Sequence, residues 1–321
     1  MKTNELKIFS LNHIEPKPVE WLFEPIIPLG KITVICGDPG SGKTTFTVKL
    51  AADVSNGINT LKKTEEKYMP GTVIYQSSED SASDTLLSRF SSNNATLSNI
   101  IFIDESTSPL SLTDKRLEEA IKQSNAKMVV IDPLQNYLPK IDMHRANEVR
   151  PVFSHLARLA EKYNCAIVLI SHLNKGTGKA LYRSLGSIDL IAACRSNLVI
   201  SAAPDNPEIK IVSQAKNSLA PLADSIAFTI EENSKVTWVN YKNIPADELL
   251  EPSNSQYKVA QNFLLVLLAD SSVSSREILT LAKDKNICER TLRKAKKELK
   301  IKSVKKKNEW VWEFPNKDSD D

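Results

Sequence analysis

The chain has 321 residues, of which 41% are hydrophobic and 25% charged, and its formal net charge at pH 7 is +3. This composition is typical of a soluble globular protein, and the length favours more than one domain. The longest apolar run, Phe263 to Ala269, is too short to span a bilayer, and the four cysteines stand too far apart for a zinc site or a disulfide framework. We therefore expect a cytoplasmic protein that has no membrane partner.

Residues 1–29 carry four prolines and are expected to form a lead-in that packs on the core. From residue 30 to residue 240, apolar strand patterns alternate with helical patterns. The main strand patterns are Ile32–Cys36, Thr72–Ser77, Ile100–Asp104, Met128–Asp132, Ala166–Ser171 and Leu198–Ala202. This alternation predicts an α/β fold with a mostly parallel sheet and helices on both faces. Three shorter strand patterns between residues 208 and 239 are expected to be antiparallel and to extend the sheet.

A phosphate-loop motif follows the first strand pattern. Residues 37–44 fit the pattern G-x-x-x-x-G-K-[ST], and a helical pattern comes directly after them. The expected nucleotide-binding residues are Gly37, Asp38, Pro39, Gly40, Ser41, Gly42, Lys43, Thr44 and Thr45. In such a loop the lysine reaches the β- and γ-phosphates, and the threonine hydroxyl ligates Mg²⁺. The motif therefore predicts that the protein binds ATP and Mg²⁺.

Two acidic residues at strand ends are expected to complete the site. Asp132 ends a buried apolar strand downstream of the phosphate loop, where an acidic residue commonly holds the Mg²⁺-bound water. The alternative is an aspartate that only forms a turn at the strand end before Pro133. Glu79 follows the second strand pattern, where a carboxylate can polarise the attacking water as a general base. The alternative is that Glu79, like Asp80, only caps the next helical pattern, Asp80–Phe90.

The C-terminal part is expected to form a second domain. Residues 241–255 form a predicted linker, and three helical patterns followed by two strand patterns predict a winged helix-turn-helix at 256–315, with a disordered tail at 316–321. From residue 276 to residue 307, thirteen lysines and arginines stand against four acidic residues. The residues expected to contact DNA are Arg290, Arg293, Lys294 and Lys297. The alternatives are a solvated helix face, or binding of a partner such as a primase or initiator.

The order and spacing of several motifs resemble a known family. Trp21-Leu22, Pro28-Leu29-Gly30-Lys31, the phosphate loop, Ser77-Ser78-Glu79-Asp80, Val130-Ile131-Asp132-Pro133 and Leu169-Ile170-Ser171-His172 are similar to motifs of the RecA-type ATPases of the RepA plasmid-helicase group, relatives of DnaB helicases and KaiC. The resemblance covers about residues 18–240. It implies a RecA-like fold, a hexameric ring with ATP between neighbouring subunits, and a γ-phosphate-sensing role for His172.

The resemblance also implies residues that act across subunits or on DNA. Arg195 matches the position of an arginine finger, and Lys216 resembles the first residue of a Lys-x-Arg element whose second basic position is Ser218 here. Surface ion pairs are the alternative for both. Lys175, Lys179 and Arg183 belong to a glycine-rich loop after a core strand, which in such rings touches the DNA backbone in the central channel. An ordinary solvated loop is the alternative.

Together these patterns predict an ATP-dependent, ring-forming DNA motor, a replicative helicase of a plasmid, phage or other mobile element. Its expected partners are single-stranded DNA in the channel, duplex DNA at the winged helix, and further copies of the chain. The alternative is a DNA-binding regulatory or loader ATPase that has no unwinding activity.

Overall fold

A computed structural model of the chain describes residues 15–61, 66–139, 145–173, 192–250, 256–269, 271–285, 287–306 and 309–315, together with positions 8, 10, 12 and 141. The strands are β1 Trp21–Phe23, β2 Ile27–Pro28, β3 Ile32–Gly37, β4 Ile58–Asn59, β5 Glu66–Lys67, β6 Val73–Ser77, β7 Ile100–Ile101, β8 Met128–Asp132, β9 Ala166–His172, β10 Ser196–Ala202, β11 Lys210–Asn217, β12 Ile226–Ile230, β13 Val236–Val239, β14 Val273–Ser274, β15 Lys302–Lys306 and β16 Glu309–Glu313. The helices are α1 Lys43–Asn56, α2 Leu87–Ser92, α3 Lys115–Ser124, α4 Leu134–Tyr137, α5 Ala146–Tyr163, α6 Ala246–Leu250, α7 Gln256–Leu267, α8 Ser275–Asp284 and α9 Glu289–Glu298.

Nine strands form the central sheet, in the order β13-β12-β11-β10-β3-β9-β8-β6-β7. The six strands from β10 to β7 are parallel to one another, and β11, β12 and β13 extend the sheet from β10 in antiparallel pairing. The mostly parallel sheet and its antiparallel extension are therefore confirmed. The central strands carry apolar residues on both faces because both faces are covered, as in β3, where every residue is buried.

Two hydrophobic clusters lie on the two faces of this sheet. Helices α1 and α2 and the β1–β2 hairpin contribute to one cluster, which includes Phe23, Phe46 and Phe90. Helices α3, α4, α5 and α6 contribute to the other cluster, which includes Ile121 and Phe153. Helix α1 ends at Gly57, whose φ of 68° lets its N–H bond back to the carbonyl groups of the last turn. The helices therefore cover both faces of the sheet, as expected.

Three local expectations differ from the structure. The strand pattern Ile100–Asp104 forms a strand only over Ile100–Ile101. Beyond it, the Gln76 side chain hydrogen-bonds to both the N–H and the carbonyl group of Ile103, in place of the backbone of β6. The helix expected at Asp80–Phe90 begins as a π-helical turn, Ala82–Leu86. Its cap is the hydroxyl of Ser81, not Asp80, whose carboxylate pairs with Arg89 instead.

The predicted linker at 241–255 begins too early. Ile244, Ala246, Leu249 and Leu250 are buried in the core cluster that also contains α5, and Ser213 donates a 2.6 Å hydrogen bond to the carbonyl oxygen of Ile244. The packing of these four apolar side chains extends the core as far as α6.

The C-terminal part has its own hydrophobic cluster. Helices α7, α8 and α9 contribute Leu264, Ile278 and Leu292 to it, and Trp312 joins them from a three-stranded sheet of order β14-β16-β15. Within the described ranges, no helix is both long and apolar enough to cross a membrane.

Candidate active site

The phosphate loop connects β3 to α1 and is shaped by its glycines. A Cβ at Gly37 would lie 2.4 Å from the Ser41 hydroxyl oxygen and 2.5 Å from the carbonyl oxygen of Ile200, so only glycine fits there. Gly42 has a φ of 94°, in the region that favours glycine, and no side chain caps the helix that starts after it. The first N–H groups of α1 are therefore directed at the loop, where they can bind an anion.

Lys43 is 7% exposed and its ammonium lies inside the loop. Its Nζ donates hydrogen bonds of 2.9 Å to the carbonyl oxygens of Gly37 and Asp38. Burial lowers the pKa of Lys43, and the nearby Asp132 carboxylate acts in the opposite direction. The ammonium is therefore poised at the position where phosphate oxygens would meet the loop.

Asp132 ends β8 and contacts the beginning of α1. The Thr44 hydroxyl donates a 2.7 Å hydrogen bond to Asp132 Oδ2, across 88 residues of sequence. Burial raises the pKa of Asp132 to about 6, the Glu79 and Asp80 carboxylates add to the increase, and the Thr44 hydrogen bond opposes it. A hydroxyl and a carboxylate in contact are oxygen ligands of the kind that Mg²⁺ takes together with phosphate oxygens and water, so the residues present fit that ion.

Glu79 and His172 lie next to Asp132 at the same edge of the sheet. Glu79 Oε1 is 3.8 Å from His172 Nε2, and the two side chains are 55% and 39% exposed. The Nδ1 atom of His172 is buried and has no hydrogen-bond partner. Both side chains therefore face a space that an incoming ligand can reach.

These residues line one cleft of about 300 Å³. The cleft is bounded by the phosphate loop from Pro39 to Thr45 and by Glu79, Asp80, Arg89, Asp132, His172 and Ile230. Arg89 and Ile230 are not among the site residues that the sequence predicts. Arg89 could have been noticed as the only basic residue between Lys67 and Lys115, whereas Ile230 comes from the antiparallel extension and belongs to no motif.

Arg195 and Lys216 do not line this cleft. Arg195 is exposed at the start of β10, where its backbone N–H donates to the carbonyl oxygen of Ile32. The Lys216 ammonium donates a 2.8 Å hydrogen bond to the carbonyl oxygen of Cys194 and is half-buried. Lys216 is thus engaged within its own chain, and the Arg195 side chain lies on the surface.

The residues expected to contact DNA fall into two groups. Arg290, Arg293, Lys294 and Lys297 are exposed on α9, opposite the buried Leu292 and Ala295, and Arg293 forms a 2.6 Å ion pair with Glu289. Lys175, Lys179 and Arg183 lie outside the described residues.

Comparison with known proteins identifies the family of the ATPase-like part. Residues 3–178, more than half of the chain, match the family model of the AAA domain. The DNA repair protein RadA of Bacillus subtilis (strain 168) is 28% identical over 153 residues, which are 46% of this chain and 28% of RadA. The chain thus matches little more than a quarter of this relative's length.

Three solved structures share the fold of the core. The ATPase domain of G40P has a TM-score of 0.50 at 16% identity, and the aligned region covers 66% of this chain and 85% of that domain. A DnaB-like replicative helicase, studied with its interactions with primase, has a TM-score of 0.50 at 15% identity. The aligned region covers 66% of this chain and 58% of that helicase. The KaiC-like protein PH0186 of Pyrococcus horikoshii OT3 has a TM-score of 0.52 at 16% identity. The aligned region covers 70% of this chain and 100% of that protein. The core therefore has a RecA-like α/β fold, as the sequence predicts.

We predict that Mg²⁺-dependent nucleotide binding weakens in acid. Asp132 must be ionised to ligate the metal, and its pKa is raised to about 6. Below that pH the carboxyl group is protonated, and the apparent Mg²⁺ affinity should fall about tenfold per pH unit. Titration of a fluorescent ATP analogue with Mg²⁺ at several pH values measures this.

Asp132→Asn keeps the side-chain shape and cannot ionise, so its weaker Mg²⁺ dependence should change less over the same pH range than that of the wild type, with the remaining change due to protonation of the nucleotide phosphate. Asp284→Asn, an exposed aspartate on α8, is the matched control and should behave as the wild type does. Equal pH dependence in the wild type and in Asp132→Asn would contradict the assignment of Asp132 as a metal ligand.

Proposed function

The chain belongs to the AAA domain family, and on that premise we propose that it is an ATP-dependent, ring-forming DNA motor, a replicative helicase of a plasmid, phage or other mobile element. The observation that carries the proposal is the cleft in which Lys43, Thr44, Asp132, Glu79 and His172 converge on one edge of a RecA-like sheet. A phosphate-binding loop, a carboxylate for Mg²⁺ and a second carboxylate for water are the parts that ATP hydrolysis needs.

Each group has a distinct role in the proposed hydrolysis. Lys43 and the N–H groups at the start of α1 would bind the β- and γ-phosphates, and Thr44 and Asp132 would hold Mg²⁺, which would supply positive charge to the phosphates. Glu79 accepts the proton of the attacking water as general base, since its carboxylate is exposed within the cleft. His172, within 3.8 Å of Glu79, is the proposed sensor of the γ-phosphate.

Assembly into a ring, with six subunits as the expected number, would complete the site. Arg195 is exposed and lies outside the cleft of its own subunit, which suits an arginine finger that acts on a neighbour's ATP. Lys216 is the weaker candidate for a role in trans, because the carbonyl oxygen of Cys194 already accepts a hydrogen bond from its ammonium.

Two basic elements would contact DNA. We infer that residues 256–315 form a winged-helix domain in which α9 presents Arg290, Arg293, Lys294 and Lys297 to the backbone of a duplex; three helices beside a three-stranded sheet support this. Lys175, Lys179 and Arg183 are proposed to contact single-stranded DNA in the channel, on the sequence pattern alone. A primase or initiator is a further proposed partner of the C-terminal domain.

The second candidate is a DNA-binding regulatory or loader ATPase that does not unwind DNA. The match to RadA, which is named as a DNA repair protein, favours a DNA-associated role other than replication. The two candidates share the ATP site and differ in whether hydrolysis separates strands.

We predict that Glu79→Gln binds nucleotide normally and loses hydrolysis by at least about a hundredfold, because it keeps the shape of the side chain and lacks the base. Lys43→Ala should instead weaken nucleotide binding. Binding titrations and steady-state phosphate release distinguish the two effects. Glu119→Gln, an exposed glutamate on α3, is the matched control. Normal turnover in Glu79→Gln would assign the base to another carboxylate, with Asp80 the next candidate.

We predict that Arg195→Ala lowers kcat by about a thousandfold while each subunit still binds nucleotide. Mixing Arg195→Ala with Glu79→Gln subunits should restore part of the activity, because some interfaces then combine an intact base with an intact arginine. Arg158→Ala, an exposed arginine on α5, is the control. A mixture that stays inactive while labelled subunits exchange would show that Arg195 does not act in trans.

The proposed function is tested on a forked DNA duplex. A motor should hydrolyse ATP faster with single-stranded DNA, and should separate the fork only with hydrolysable ATP. Replacing both Lys175 and Lys179 by alanine should abolish the stimulation, whereas the same change at Lys115 and Lys122, exposed on α3, should not. Removal of residues 256–321 should weaken duplex binding and leave the ATPase rate intact. An ATPase rate that DNA does not change, with no strand separation, would favour the regulatory candidate.

A further inference from the structure

A one-turn helix stands directly behind the catalytic edge of the sheet. Helix α4 follows Asp132 after a single residue, Pro133. Leu134 and Tyr137, one turn apart, are 0% and 1% exposed in the core. The Tyr137 hydroxyl donates a 3.2 Å hydrogen bond to Glu105, and the Tyr137 carbonyl oxygen accepts a 2.8 Å hydrogen bond from the N–H of Leu112. The inner face of α4 is therefore fixed by burial and by hydrogen bonds at both ends of Tyr137.

The two residues between these anchors reach the neighbouring strand ends. Gln135 Nε2 donates a 2.8 Å hydrogen bond to the Ser171 hydroxyl oxygen, which is buried. Asn136 Nδ2 donates a hydrogen bond of the same length to the Ser78 hydroxyl oxygen, and the N–H of Ser78 donates to the carbonyl oxygen of Asp132. Ser171 immediately precedes His172, and Ser78 immediately precedes Glu79. One short helix thus holds the residue before each of the two groups that face the γ-phosphate side of the cleft.

Such a support is needed because the backbone ladder ends at this point. The last paired residues are Gly37 with His172 and Ser77 with Asp132, so Glu79 lies beyond the sheet. The Glu79 side chain approaches His172 to 3.8 Å, and both side chains are more than one-third exposed. Without a further constraint, thermal motion would spread their positions, and hydrolysis loses rate steeply when catalytic groups are misplaced by about 1 Å.

We propose that Gln135 and Asn136 are positioning residues, which place His172 and Glu79 for ATP hydrolysis through Ser171 and Ser78. This inference rests on the proposed ATPase function of the same cleft. The Gln135–Ser171 hydrogen bond contributes more to this positioning than the Asn136–Ser78 hydrogen bond does. Ser171 is 1% exposed, and a shielded hydrogen bond is stronger than one in contact with water. Asn136 and Ser78 are exposed, so their hydrogen bond competes with water.

The test is a kinetic double-mutant cycle on the full chain. Gln135→Met keeps the length of the side chain and removes the donor, and Ser171→Ala removes the acceptor. Each should lower kcat roughly tenfold, with KM and nucleotide affinity unchanged, and the double variant should be no slower than the slower single variant. Asn136→Ala and Ser78→Ala should lower kcat by a smaller factor, about threefold.

The controls separate positioning from folding and from the proposed function. Gln123→Met, at an exposed site on α3, is the matched control and should leave kcat and the melting temperature unchanged. A kcat near the wild-type value in both Gln135→Met and Ser171→Ala, or effects that multiply in the double variant, would overturn the inference. Wild type and Lys43→Ala are assayed in parallel. An inactive wild type would overturn the proposed ATPase and the inference with it, whereas an active wild type with unaffected Gln135 variants would overturn the inference alone.

Discussion

The register of the parallel strands is the constraint on which the candidate site depends. Pairing places Gly37 of β3 beside His172 of β9, and Ser77 of β6 beside Asp132 of β8. Because these strands run in the same direction, their carboxyl ends meet at one edge, and groups distant in sequence converge there. A slip of one residue in any of these ladders would reverse the side chains between the two faces and disperse the cleft.

Charge is concentrated at this edge and is only partly balanced by the side chains that line the cleft. Three carboxylates, Glu79, Asp80 and Asp132, lie in a cleft that also contains Lys43 and Arg89. Arg89 forms an ion pair with Asp80. Burial together with the neighbouring carboxylates raises the pKa of Asp132. A divalent cation with a phosphate chain would change this balance more than any single side chain does, which is why nucleotide and metal are expected to bind together.

The sequence predicts the parts of this site that are local. The phosphate loop and Asp132 stand in short patterns whose flanking strands are continuous apolar runs, so both fold and position could be read from them. Tertiary contacts decided the rest. Gln76 ends the β6–β7 ladder with its side chain, Arg89 withdraws Asp80 from a capping role, and four apolar residues draw the supposed linker into the core. The hydrogen bond from Gln135 to Ser171 joins residues 36 positions apart, and no sequence pattern reports such a pair.

The two hydrogen bonds from Lys43 to the carbonyl oxygens of Gly37 and Asp38 have a kinetic consequence. The protein's own groups order the loop, so the conformational entropy is lost when the domain folds and not when a ligand arrives. An anion that binds there would replace these two carbonyl contacts of the ammonium within a loop that is already ordered. The capture of a phosphate would then be governed by diffusion and by attraction to the ammonium and the helix end, since no slow rearrangement of the loop would have to precede it.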